Sequence, residues 1–138
     1  MDLQFDLPPK VSAPSQGRQA LGPLRPLLGG DVFDRLRLLT SELIANSVQH
    51  GRLQPGDQIH VRVSFHHEIV HVDLADEGQM WSPPQVPVEA PLLSEASRGL
   101  FLLDRLADAW GVDPGPPTRV WFELAVPGGG VTEDRPNR

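Results

Sequence analysis

Three groups of residues in this chain have the types and spacings that chemistry needs. The first is Glu42, Asn46 and His50, within the run SELIANSVQHG. Four-residue steps set them along one stripe of a helix, at the edge of its apolar stripe. A carboxylate and an amide one turn apart can share a hard cation with phosphate oxygens. The carboxylate can instead take a proton from a nucleophile. A solvated polar edge is the bland alternative, and Glu-x-x-x-Asn alone does not exclude it.

The second group is Asp76-Glu77-Gly78. Asp76 shares the parity of Val70, Val72 and Leu74, so it ends a strand while facing the core. A carboxylate there is costly unless it meets a donor, and the amino group of a base would serve. An ordinary Asp/Gly turn is the alternative. The third group, Ser97-Arg98-Gly99-Leu100, opens a helix. Free amides at a helix start attract phosphate; Gly99 allows close approach, Ser97 can cap and Arg98 adds charge. A capped helix with a glycine at its start would look the same.

These groups need elements to carry them. Leu3, Phe5 and Leu7 predict an edge strand that stops at Pro8-Pro9. Residues 12–28 predict a short or broken helix, since Pro14, Pro23 and Pro26 interrupt it. Residues 31–50 predict the clearest helix. Asp31 is its cap, Val32, Leu36, Leu39, Leu43 and Ile44 form its apolar stripe, and Gly51 ends it.

A hairpin follows. Pairing residue 65 with residue 70 puts Ile59, Val61, Val63 and Phe65 on the same face as Val70, Val72 and Leu74. It also sets Arg62 opposite Asp73 as a cross-strand ion pair. Residues 77–98 hold four prolines and little periodicity, which predicts a long functional or disordered connection. Residues 99–110 predict a second amphipathic helix with Leu100, Leu103, Leu106, Ala107 and Trp110 inward. A final strand, 118–126, faces Val120, Phe122, Leu124 and Val126 inward.

That order is strand, helix, helix, two strands, loop, helix, strand. Helices gathered on one face of a sheet give an α+β two-layer sandwich.

Composition narrows the partners. With 138 residues, the chain suits one domain. Its formal charge is −6, and its 12 basic residues are scattered, so no direct nucleic-acid partner is expected. The chain has no cysteine, which excludes disulfides and thiolate sites. No apolar run reaches the roughly 18 residues of a membrane span, and MDLQFDLPPK does not read as a signal peptide. A cytoplasmic protein without a membrane partner is expected. His60, His66, His67 and His71 gather near the hairpin, but no closing ligand is evident, so a metal site is not expected there.

Taken jointly and in order, SELIANSVQHG, DLADEG, SRGLFLLDRLADAWGV and TRVWFEL resemble the GHKL (Bergerat) ATPase fold. More narrowly, they resemble the histidine-kinase-like ATPase domains of anti-sigma-factor serine/threonine kinases. The resemblance spans about residues 3–126. It implies a mixed sheet with helices on one face and an ATPase domain over residues 1–126 with an ATP lid at 79–97, while the polar, Gly-rich stretch 127–138 itself predicts a disordered tail.

The resemblance also implies roles. Glu42 would be the base that activates a partner's serine. Asn46 would hold Mg²⁺ against the ATP phosphates, and His50 matches a supporting position. Asp76 would bind the adenine amino group, Gly78 would let the backbone pass close to the base, and Thr118 would line the base pocket. Arg98, Gly99 and Leu100 would sit near the phosphates. The implied partners are an anti-anti-sigma protein of the STAS type and a sigma factor, with a homodimer as an implied assembly.

Two positions depart from the family pattern. Ser97 replaces the first glycine of a common Gly-x-Gly, and Met80 stands where a second glycine often follows the first box. They favour an alternative, a catalytically weak or inactive ATP-dependent protein-binding module. A two-component histidine kinase ranks third, because no dimerisation helix with a phospho-accepting histidine precedes the domain in this sequence.

Overall fold

The computed structural model describes residues 1–50, 53–77, 95–113 and 117–127, with residues 50 and 95–98 described by their backbone alone. Strand β1 (Asp2–Leu7) is followed by helix α1 (Ala13–Ala20), a 3-10 turn (Gly22–Leu24) and the short helix α2 (Arg25–Leu28). Each of these three helical pieces begins with a proline in its first turn. A proline is tolerated there and nowhere deeper, so the three prolines cut one apolar segment into three. Ala13, Leu21, Leu24 and Leu28 nonetheless reach the core.

Helix α3 (Gly30–His50) runs for 21 residues. Its expected stripe is buried: Val32, Leu36, Leu39, Leu43 and Ile44 are all at most 4% exposed. Asp31 was expected as the cap but lies inside the first turn, where its carboxylate meets Arg35 at 3.2 Å. Gly51, the expected stop, lies outside the described residues.

Strands β2 (Ile59–His66) and β3 (Ile69–Asp76) form the expected hairpin, with Phe65 opposite Val70. His67 and Glu68 both take positive φ, 55° and 65°. Two such residues suit the twist of a two-residue hairpin turn. Arg62 faces Asp73 in register as expected, but the ion pair goes elsewhere. Arg119 reaches diagonally across and gives Asp73 two hydrogen bonds, at 2.7 and 3.3 Å.

Helix α4 (Glu95–Leu106) starts earlier than residue 99 and stops short of residue 110. Ser97 therefore lies within the helix and is not its cap. Trp110 belongs to a strand, β4 (Ala109–Asp113), which pairs with β5 (Thr118–Ala125). The break comes at Asp108. Its backbone N–H donates to the Glu123 carbonyl, and its carboxylate accepts from the Ala125 N–H at 2.7 Å. The chain thus leaves the helix and enters a ladder within two residues.

The sheet order is β1-β2-β3-β5-β4. All four pairings are antiparallel, which corrects the expected mixed sheet. The helices pack on one face, and the α+β sandwich is as expected. Phe122 and Leu124 are fully buried beneath them. The other face carries polar residues. His71 stacks on Trp121 at 5.6 Å and bonds Glu123 at 2.9 Å, and His66 bonds Asp2. No group of side chains suited to a metal occurs among the described residues. No helix among them is long and apolar enough to cross a membrane.

Candidate nucleotide site

Alternation along β3 points Asp76 to the helix side, and it is 4% exposed. Thr118, the first residue of β5, is its direct partner in the ladder and is 3% exposed. The two strands therefore end in one buried acid and one buried hydroxyl, side by side. Val120 and Leu74 stand next in line on the same face, also in register.

Helix α3 supplies the opposite wall. Leu43, Asn46 and Ser47 recur at three and four residues, so they face the sheet together. Asn46 is 6% exposed and Ser47 is 7% exposed. With Leu74, Asp76, Thr118 and Val120 they line a narrow cleft. Apolar walls with a few convergent polar groups are the usual make-up of a small-molecule site. Asp76 is acceptor-only when ionised, while the Thr118 hydroxyl can donate or accept.

Helix α4 adds Gly99. A β-carbon there would fall closer than 3.0 Å to the Asn46 amide nitrogen. The glycine thus lets the second turn of α4 lie directly against Asn46. At the other end of the same helix pair, the Arg35 guanidinium donates to the Leu106 carbonyl at 3.1 Å. A cation at a helix C-terminus is favourable both as a hydrogen bond and against the helix dipole. These two contacts fix α4 along α3 in an antiparallel sense.

The expected site residues thus fall into three sets. Asn46, Asp76 and Thr118 come together around one cleft. Glu42 is half-buried one turn before Asn46 and is not among the cleft-lining residues. Gly99 supports Asn46 from behind, and Leu100, 1% exposed, packs in the core. Arg98 lies in α4, and His50 ends α3; the side chains of both lie outside the described residues. Gly78, residues 79–94 of the expected lid (Met80 among them) and residues 128–138 of the expected tail also lie outside them.

Sequence reasoning passed over Ser47 and the walls formed by Leu43, Leu74 and Val120. The signal was present. Leu43 and Ser47 are one turn apart on the stripe that carries Asn46, and Leu74 and Val120 sit two residues from Asp76 and Thr118 on the same face.

Beyond the cleft, Glu77 faces the opposite side of the sheet. It accepts from the Gln58 N–H at 3.1 Å and bonds His60 at 3.0 Å. The His60 bond, then the Gln58 bond, hold the Glu77 carboxyl below its usual range. His60 is raised in turn, first by Glu77 and then by Asp6.

A family model described as the histidine kinase-like ATPase domain matches residues 17–122. Among solved structures, the chain is similar to the blue-light activated histidine kinase of Erythrobacter litoralis EL346. The TM-score is 0.58 at 22% identity, covering 72% of this chain and 32% of that one. It is also similar to a histidine kinase domain from the same protein, with a TM-score of 0.51 at 24% identity, covering 70% of this chain and 45% of that one. Identity this low supports the shared fold only, and the chain spans less than half the length of either structure. No curated protein matches. The match over most of the length, on the fold and cleft described above, shows that the chain belongs to the histidine kinase-like ATPase domain family.

Proposed function

We propose that this ATP-binding domain is a cytoplasmic anti-sigma factor with serine kinase activity toward an anti-anti-sigma partner of the STAS type. The observation that carries the nucleotide half of the reading is the pairing of buried Asp76 with buried Thr118 beneath Asn46. An acceptor-only carboxylate at the end of an apolar cleft fits the exocyclic amino group of adenine. The close approach of Gly99 to Asn46 leaves no room for a side chain between α4 and the amide, as a tight phosphate-side wall would require.

Asn46 would hold Mg²⁺, which supplies charge neutralisation across the phosphates. Glu42, one turn earlier on α3, would accept the proton of the partner's serine hydroxyl as its oxygen bonds the γ-phosphorus and the bond from that phosphorus to the bridging oxygen breaks, releasing ADP. A positioned base is worth about 10²- to 10⁴-fold in rate. A module that only binds its partner has no need of that base. The joint motif pattern supports the kinase and anti-sigma reading, and the sigma factor is its second partner.

The test is calorimetry with ATP and Mg²⁺ on the wild-type chain and on Asn46→Ala, followed by phosphate transfer to candidate STAS partners with Glu42→Ala. Binding that is lost in Asn46→Ala, and transfer that is lost in Glu42→Ala while ATP still binds, is the expected pattern. A folded wild-type chain with no affinity for ATP at millimolar levels defeats the reading. Binding without transfer to any such partner would favour the ATP-dependent binding module.

A further inference from the structure

On the sheet face away from the cleft, His60 lies between two carboxylates. Its Nδ1 is 2.7 Å from Asp6 Oδ1, and its Nε2 is 3.0 Å from Glu77 Oε2. A neutral imidazole has one N–H and one lone pair, while an ionised carboxylate only accepts. Both contacts are hydrogen bonds at once only when the ring carries two protons. The second carboxylate oxygen of Glu77 is held by the Gln58 N–H. The imidazolium therefore ties together β1, β2 and the residue that directly follows Asp76.

Alternation makes this tie relevant to the cleft. Asp76 points inward and Glu77 outward, so the two side chains belong to one short piece of backbone with opposite duties. Fixing Glu77 on the outer face restrains the position from which Asp76 enters the cleft. We propose that His60 is a positioning residue whose protonation holds Asp76 in place, so that nucleotide affinity falls as the imidazole loses its second proton. The inference rests on the nucleotide reading of the cleft for its second clause and on the tie alone for its first.

The charged groups facing His60 support a proton-operated device. The outer groove is lined by Gln4, Asp6, His60, Arg62, Asp73 and Arg119. From β1 comes Asp6, from β2 Arg62, from β3 Asp73, and from β5 Arg119. The Asp73 charge is taken up by Arg119 at 2.7 Å. Glu77 comes from just beyond β3. With the ring neutral, either Asp6 or Glu77 faces a lone pair, and the two carboxylates are left without a cation between them. His60 is held above its ordinary value by these same acids.

The experiment uses the full chain, the variant His60→Gln, and Glu77→Gln as a second variant. Backbone amide spectra without ligand are followed from about pH 5 to 9, spanning the ordinary imidazole value of about 6.5. In the wild type the Asp76 and Glu77 amides should shift together with the His60 ring, with a midpoint above 6.5. In His60→Gln that shared transition should vanish. In Glu77→Gln the His60 midpoint should drop back toward 6.5.

The affinity for ATP with Mg²⁺ is then compared at the two ends of the range. The wild type should weaken roughly three- to tenfold more than His60→Gln, which is up to about one unit of linkage. The comparison divides out titration of the nucleotide itself. Asp76 and Glu77 amides that ignore the His60 titration overturn the inference. Equal pH dependence of affinity in wild type and variant overturns it too. A wild type whose Asp76 amide follows His60 but which binds no ATP at either pH supports the tie and overturns the nucleotide reading.

Discussion

The backbone of Gly99 rests against the amide of Asn46, so close that any β-carbon at residue 99 would overlap the Asn46 nitrogen. Asn46 is itself 6% exposed and cannot move aside without disturbing its neighbours. Gly99→Ala therefore separates two effects. Alanine gains about 0.5–1 kcal/mol over glycine inside a helix, while the overlap costs about 1–3 kcal/mol. Net stability should therefore fall by about 0–2.5 kcal/mol. Nucleotide affinity should fall about tenfold, because the displaced amide is the proposed Mg²⁺ ligand. Calorimetry alongside a denaturation curve checks both. Unchanged affinity would remove Asn46 from the site.

Asp76→Asn tests the floor of the cleft. A hydrogen bond to a charged group contributes about 1.5–3 kcal/mol, so ATP should bind roughly 10- to 100-fold more weakly. A nucleotide that lacks the amino group, such as inosine triphosphate, should lose much less. Competition binding with the two nucleotides gives the ratio. Equal losses for both would deny Asp76 its contact with the base.

Much of this site is legible in the sequence because strand alternation and helical spacing are local rules. Parity along β3 places Asp76 inward, and the same parity from Val120 places Thr118 inward. The hairpin register follows because a one-residue slip would expose half the apolar set. What was not legible depends on distant partners. Leu103, Leu106 and Trp110 continue a helical rhythm, so β4 reads as helix; only Asp108, bound to Glu123 and Ala125 of a strand still to come, breaks it. The Asp73 ion pair went to Arg119 because β5 lies beside β3, a neighbour that no local pattern names. The Asp6–His60–Glu77 tie likewise spans three separate segments.

Arg35 is expected to matter for stability out of proportion to its surface position. Its side chain is 27% exposed, and it joins Asp31 on its own helix to the last carbonyl of α4. Arg35→Met keeps most of the stem and removes the donor, which should cost about 1 kcal/mol. Asp31→Asn removes only an exposed pair and should cost less than about 0.5 kcal/mol. Urea unfolding of the two variants decides it. Equal effects would mean that the contact with α4 contributes nothing.

The outer tie should also leave a bell-shaped trace in stability against pH. Glu77 is lowered from 4.5 by its bonds to His60 and Gln58. Its share is present above about 4.5 and is lost as pH falls through its folded value. His60 is raised from 6.5 by Glu77 and Asp6. Its share is fully present below about 6.5 and is lost as pH rises through its folded value. The two conditions overlap between about 4.5 and 6.5, so the excess of wild-type stability over His60→Gln should peak there and shrink on either side. The peak should be small, since all three side chains are 42–47% exposed and solvent screens such pairs. Denaturant midpoints for both proteins between about pH 3.5 and 9 measure it. A difference that grows steadily with pH would mean that His60 supports the fold as a neutral ring, and the two carboxylates would then have to be held by something other than its charge.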